Sequence, residues 1–176
     1  MNQWTNRPLR VASLVFFDLE TTALRPDRGG RICEMAVVDQ NGVRFDWTSS
    51  RASPSDPAVS RQISGLRRHL QDTVVVGHNL PFDLRFLTYE AERLGHRGLD
   101  IRFADTLGLA RRQLPSRDTH QLGALLDAFE IGQEETLHTA VGDALATRAL
   151  FWSLVDHGDL ETLSDVGVKR LSWNAG

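Results

Sequence analysis

The chain has 176 residues, 41% of them hydrophobic and 24% charged, with a net charge of −3. That is the size and make-up of one globular domain able to bury a substantial core. Its single cysteine, Cys33, excludes an internal disulfide and a cysteine-rich zinc site, and it fits a reducing, cytoplasmic setting. The charge gives no global basic field for nucleic acid, but it leaves a local binding groove open. The apolar run over residues 11–17 is too short to span a membrane, and no signal-peptide pattern is visible.

Residues 1–10 are polar and are expected to be loose. Residues 12–18 read as a buried strand. In RICEMAVVDQNGVRFDWT, residues 31–48, two strand-like runs flank Asn41-Gly42, which is a tight-hairpin signal. The first three strands should therefore form a meander. SSRASPSDPAV, residues 49–59, is turn chemistry. A short helix is expected over 58–70, with Val59, Ile63, Leu66 and Leu70 on one stripe. TVVVGHN, residues 73–79, is a short β-branched strand. A helix follows over 81–95, with Phe82, Phe86, Leu87 and Leu94 at helical spacing, Pro81 in its first turn and Gly95 as its stop. DIRFAD, residues 100–105, predicts a fifth strand, with Asp105 capping the next helix. Two helices are expected near 106–114 and 119–130. The last runs over 139–156 with Thr139 as N-cap. Residues 158–176 show weak periodicity and are expected to fray. Strands first, then strand–helix alternation, then helices, give an α/β fold with a mixed five-stranded sheet flanked by helices. Residues 11–157 form the domain.

FFDLETTAL, residues 16–24, runs from an apolar strand straight into two acids. Burying acids there costs free energy unless they hold something. Asp18 and Glu20 lie two apart on a strand, so both point to one face. Their Cα atoms should be roughly 7 Å apart. The pair suits one or two oxygen-liganded divalent cations. The alternative is a solvated strand end. In GHNLPFDLRFL, residues 77–87, Asp83 sits one turn into a helix after a buried strand, where α/β folds build sites. In LHTAVGDALATRAL, residues 137–150, Asp143 lies in the first turn of the last helix, and His138 just before it. An imidazole beside a metal cluster is a candidate general base. Both aspartates also suit a helix N-terminus on charge grounds alone.

Taken together, FDLETT, HNLPFDLRFL and HTAVGDALAT match in order and spacing the three motifs of the DEDDh 3′-to-5′ exonucleases. That family includes the epsilon proofreading subunit of DNA polymerase III, ribonuclease T and oligoribonuclease. The resemblance runs from residue 14 to about 153 and implies a ribonuclease H-like fold. It implies that Asp18, Glu20, Asp83 and Asp143 hold two Mg²⁺ or Mn²⁺ ions, and that His138 takes the proton from the attacking water. Four carboxylates and two divalent ions balance in charge. The implied reaction releases nucleoside 5′-monophosphates from the 3′ ends of single-stranded DNA. RNA or short oligonucleotides are the alternative substrate. An idle nucleic-acid-binding or polymerase-associated module is the alternative of another class, against which the intact acids stand. A DNA polymerase or repair partner and a homodimer are both compatible with the family.

Thr21, Leu24 and Asn79 are the candidate substrate-binding residues. Ala23 stands where the family often has glycine. Leu24 is either a wedge against the terminal base or a packed loop residue, and Asn79 either organises the motif backbone or touches substrate. His78 and His120 are expected to be structural. The stretch before Thr73 is short for the family, and ISGL at 63–66 resembles the remnant of a family turn.

Overall fold

In the computed structural model, which describes residues 5–49, 57–96, 100–132 and 138–172, residues 5–9 lie against residues 161–164. Leu9 is buried, and its N–H donates to the Glu161 carbonyl at 2.8 Å. Pro8 forms an isolated bridge with Thr162, and the Leu163 N–H donates to the Arg7 carbonyl. The expectation of a loose segment over 1–10 is thus corrected for residues 5–10. One apolar side chain, Leu9, and the backbone bonds around it hold them down.

Strand β1 (Leu14–Thr21) pairs antiparallel with β2 (Ile32–Asp39), and β2 pairs antiparallel with β3 (Gly42–Thr48). The hairpin forms where the sequence predicts it, but its two turn residues are Gln40 and Asn41, while Gly42, at φ 130°, already opens β3 opposite Asp39. The Asn41 N–H is held by the Asp39 carboxylate at 2.7 Å. Most of the turn-rich stretch, residues 50–56, lies outside the described residues. Helix α1 (Pro57–Leu70) buries Val59, Ile63, Leu66 and Leu70. The ISGL stretch is therefore the middle of a helix and not a turn, because Ile63 and Leu66 belong to that buried stripe.

Strand β4 (Val74–Gly77) runs parallel to β1, and helix α2 (Leu80–Arg93) follows it. Strand β5 (Asp100–Asp105) runs parallel to β4. Helix α3 (Thr106–Gln113) starts on the Asp105 side chain, which accepts from the N–H groups of Leu107 and Gly108. Helix α4 (Leu122–Ala128) is shorter than the span expected. Helix α5 (Ala140–His157) has Thr139 as its cap. Beyond it, residues 158–172 do not fray as expected. Leu163 and Val166 are buried, and strand β6 (Lys169–Ser172) pairs antiparallel with β5. Among the described residues the sheet therefore has six strands, not five, in the order β3-β2-β1-β4-β5-β6.

Both faces of the sheet are covered. Along β1, Leu14 and Phe16 face a core shared with α3, α4 and α5, while Val15, Phe17 and Leu19 face one shared with α1 and α2. This is the two-residue alternation of a strand. Phe16 meets Phe151 of α5 edge-on, with ring centroids 5.6 Å apart. The same parity turns Asp18 and Glu20 toward α5. Gly77 closes the β4–α2 junction, since a Cβ there would lie 2.7 Å from the Leu80 side chain and 3.0 Å from the Phe17 carbonyl. No helix among the described residues is long and apolar enough to cross a membrane.

Candidate active site

The site forms where β1 ends and α2 and α5 begin. In a sheet of this kind, the ends of parallel strands and the N-termini of the following helices converge on one edge. Three elements deliver the acids. Asp18 and Glu20 come from β1, Asp83 from the first turn of α2, and Asp143 from the first turn of α5.

Asp18, Glu20 and Asp143 each present an oxygen within 4.8 Å of the others. None of the four acids forms a salt bridge among the described residues. Their charges therefore act on one another. Burial pushes the Asp18 carboxyl well above its usual range, and Asp83, Asp143, Glu20 and Glu34 push it further. Burial, then Asp143 and Glu34, raise Glu20, while His138 lowers it. Asp143 is raised by burial and pulled back by the His138 N–H and by the His138 and His78 rings. Asp83 is 4% exposed and is raised above all by burial. Its Oδ1 accepts the Leu19 N–H at 3.2 Å, which ties α2 to β1 and partly offsets the shift. Asp83 stands behind Asp18 rather than within the close trio.

This donor set fits hard divalent cations. All the ligand atoms are carboxylate oxygens, which suit Mg²⁺ or Mn²⁺ better than soft metals. Crowded, unpaired acids are what a divalent ion would relieve.

His138 is exposed and has φ 71°, a conformation uncommon for a residue other than glycine. Its N–H donates to Asp143 Oδ1 at 3.2 Å. That bond places the imidazole at the mouth of the carboxylate cluster, close enough to act on both Glu20 and Asp143.

The loop after β1 is organised by its own hydroxyls. Thr21 Oγ1 donates to the Ala23 carbonyl, and Thr22 Oγ1 accepts the Arg31 N–H. Leu24 is 76% exposed, so it is not packed into the core. Its carbonyl accepts from Arg85 Nη2 of α2 at 2.9 Å. Arg31 braces the loop from behind, with Nη1 on the Gly30 carbonyl and Nε 3.6 Å from the buried Glu90. Asn79 has φ 60° and accepts the Phe82 N–H on its carbonyl, so it does shape the motif backbone. His78 bridges the Thr106 hydroxyl and the His120 carbonyl, and His120 Nε2 meets the Leu114 carbonyl. Both rings are structural, as expected.

One acid escaped the sequence reading. Glu34 of β2 lies directly opposite Glu20, and its Oε2 accepts the Ala140 N–H of α5 at 3.1 Å. The signal was present in ICEMAVV, where a carboxylate again interrupts an apolar strand.

Comparison with known proteins agrees with this geometry. The family model RNase_T, described as exonuclease, matches residues 49–151, a span that contains Asp83, His138 and Asp143 but begins after β1. A DNA polymerase III subunit epsilon-like protein of Rhodobacter capsulatus is 32% identical over 173 residues, covering 84% of this chain and 24% of that protein. The 3′-5′ exonuclease DinG of Bacillus subtilis is 28% identical over 163 residues, covering 81% of this chain and 17% of DinG. The chain thus spans a quarter or less of the length of these relatives. Among solved structures, exonuclease X in complex with 5′ overhanging duplex DNA superposes with a TM-score of 0.58 at 21% identity, covering 88% of this chain and 99% of that one. Brucella melitensis NrnC gives 0.57 at 16%, covering 85% and 77%. At these identities the superpositions show a shared fold.

Proposed function

Because the chain belongs to the RNase_T exonuclease family, we propose that it removes nucleotides from the 3′ ends of single-stranded DNA, as a metal-dependent 3′-to-5′ exonuclease with a histidine general base. The observation that carries this reading is the trio of Asp18, Glu20 and Asp143, drawn from two elements and forming no salt bridge among the described residues. With Asp83 behind them, these acids would hold two Mg²⁺ or Mn²⁺ ions. When bound, the ions supply the positive charge that a phosphodiester needs and lower the pKa of water.

The chain's own residues do the rest. His138, at the mouth of the cluster, takes the proton of the attacking water on a ring nitrogen and is exposed enough to pass it to solvent. Leu24 projects from the braced loop and packs against the terminal base. Thr21 keeps that loop folded through Ala23, and Asn79, at the N-cap of α2, would meet the substrate backbone. The names of the relatives support DNA as the substrate class and a DNA polymerase as the partner.

The test is a cleavage ladder. 5′-labelled single-stranded DNA and RNA of one sequence are incubated with the protein and Mg²⁺, Mn²⁺ or EDTA, beside Asp18→Ala. A metal-dependent ladder shortening from the 3′ end, faster on DNA and absent in the variant, is expected. Faster cleavage of RNA would move the substrate to the RNA class. Binding without cleavage of either would replace the enzyme with a binding module.

A further inference from the structure

We propose that Glu34 is a positioning residue for the carboxylate cluster, holding the first turn of α5 against the β1–β2 pair and so setting the approach of Asp143 to Asp18 and Glu20. The inference rests on the metal-dependent reading above.

Ala140 is the first residue of α5, and its N–H is one of those a helix cannot satisfy internally. The local cap, Thr139 Oγ1, serves Gly142 at 3.1 Å. The Ala140 donor goes instead to Glu34, 106 residues away in sequence. Asp143 follows Ala140 by about one helical turn. Whatever fixes the helix at Ala140 therefore fixes it at Asp143. On the sheet side, Glu34 is the cross-strand neighbour of Glu20. One side chain thus runs from the strand partner of one acid to the helix that carries another.

A second bond joins the same two elements farther along, from Arg148 Nη1 to the Asp39 carbonyl at 2.7 Å. Between the two bonds, Ala144 and Thr147 are fully buried and let the helix lie close. What the cap needs here is reach, a side-chain oxygen long enough to cross from β2 to the first turn of α5. The charge of Glu34 is not what holds the helix, so a neutral oxygen at the same reach would serve the same donor.

Two conservative variants separate reach from charge. Glu34→Asp keeps the charge but withdraws the oxygen from Ala140. Glu34→Gln keeps an oxygen at full reach but loses the charge. Mn²⁺ affinity is measured by titration calorimetry on each, with metal-free melting as the control for folding and Arg148→Ala as the control for loss of a helix–strand bond. Glu34→Asp should bind Mn²⁺ roughly 10–100-fold more weakly, the usual effect of removing an outer-shell partner. Glu34→Gln should keep most of the affinity, and Arg148→Ala should lower the melting temperature without moving it. Wild-type affinity in Glu34→Asp, equal weakening in the Gln variant, or equal weakening in Arg148→Ala overturns the assignment of Glu34 alone. Absence of Mn²⁺ binding by the unaltered protein overturns it together with the metal-dependent reading.

Discussion

The backbone N–H of His138 donates to Asp143 Oδ1 at 3.2 Å, so the candidate base and a candidate metal ligand are joined through the main chain and not through the imidazole. The ring stays free to face substrate. Replacing the side chain leaves this bond in place. His138→Ala should therefore slow cleavage about 10²–10⁴-fold, as loss of a general base does, with Mn²⁺ affinity close to that of the unaltered protein. Single-turnover rates and calorimetry on the same preparation check it. A large loss of affinity would make His138 a support for Asp143 instead.

Asp18→Ala should abolish cleavage and weaken Mn²⁺ binding, since it removes the acid at the centre of the cluster. Cleavage at a rate near that of the unaltered protein would refute the role.

The metal-free protein should carry a specific pH dependence. Burial holds the Asp18 and Asp83 carboxyls well above the ordinary aspartate value of 3.8 in the folded state. A raised pKa means the folded protein holds those protons more tightly than the unfolded chain. Their contribution to stability is full below pH 3.8 and is lost as pH rises through the raised values. Other acids, such as Asp165, held low by Thr162, act in the opposite sense. The comparison is therefore between the unaltered protein and Asp18→Asn from about pH 4 to about pH 8, upward from the ordinary aspartate value. The variant should gain relative stability toward neutral pH, and saturating Mn²⁺ should close the gap. A pH-independent difference would exclude this linkage.

Leu24→Ala should leave stability within about 0.5 kcal/mol, because the side chain is exposed. It should raise KM for a 3′-terminal nucleotide. Unchanged KM and kcat would remove Leu24 from the substrate site.

Glu90 is 1% exposed and receives Arg93 through two bonds, at 3.0 and 2.6 Å, with Arg31 nearby. Glu90→Ala takes the carboxylate from the half-buried Arg31 and the more exposed Arg93 and should cost about 1–3 kcal/mol in denaturant unfolding. The neutral loss of a surface pair, below about 1 kcal/mol, would contradict this.

What could be seen in the sequence follows from where the forces act. The alternation of β1, the stripe of α1 and the caps at Asp105 and Thr139 are local, and they stand in the structure as expected. The acids of the motifs were visible because a charge at the end of an apolar run is costly. Strand β6 was hidden because KRLS is mostly exposed and owes its form to pairing with β5. The anchoring of Leu9 was hidden for a like reason, since its partners lie beyond residue 160. Glu34 and Arg85 act across 106 and 61 residues of separation. Only the register of β1 against β2, or the seating of α2 on the loop, gives either of them meaning.

The alternation along β1 has a consequence for how the chain tolerates change. Phe16 anchors one core, Phe17 the other, and Asp18 takes its direction from the same count. A one-residue slip of β1 against β2 and β4 would send both phenylalanines to the wrong layers as it turned the acids away from α5. The chain therefore has no well-packed form with a misdirected site. Errors of register in this strand are rejected at folding, before the site is ever put to use.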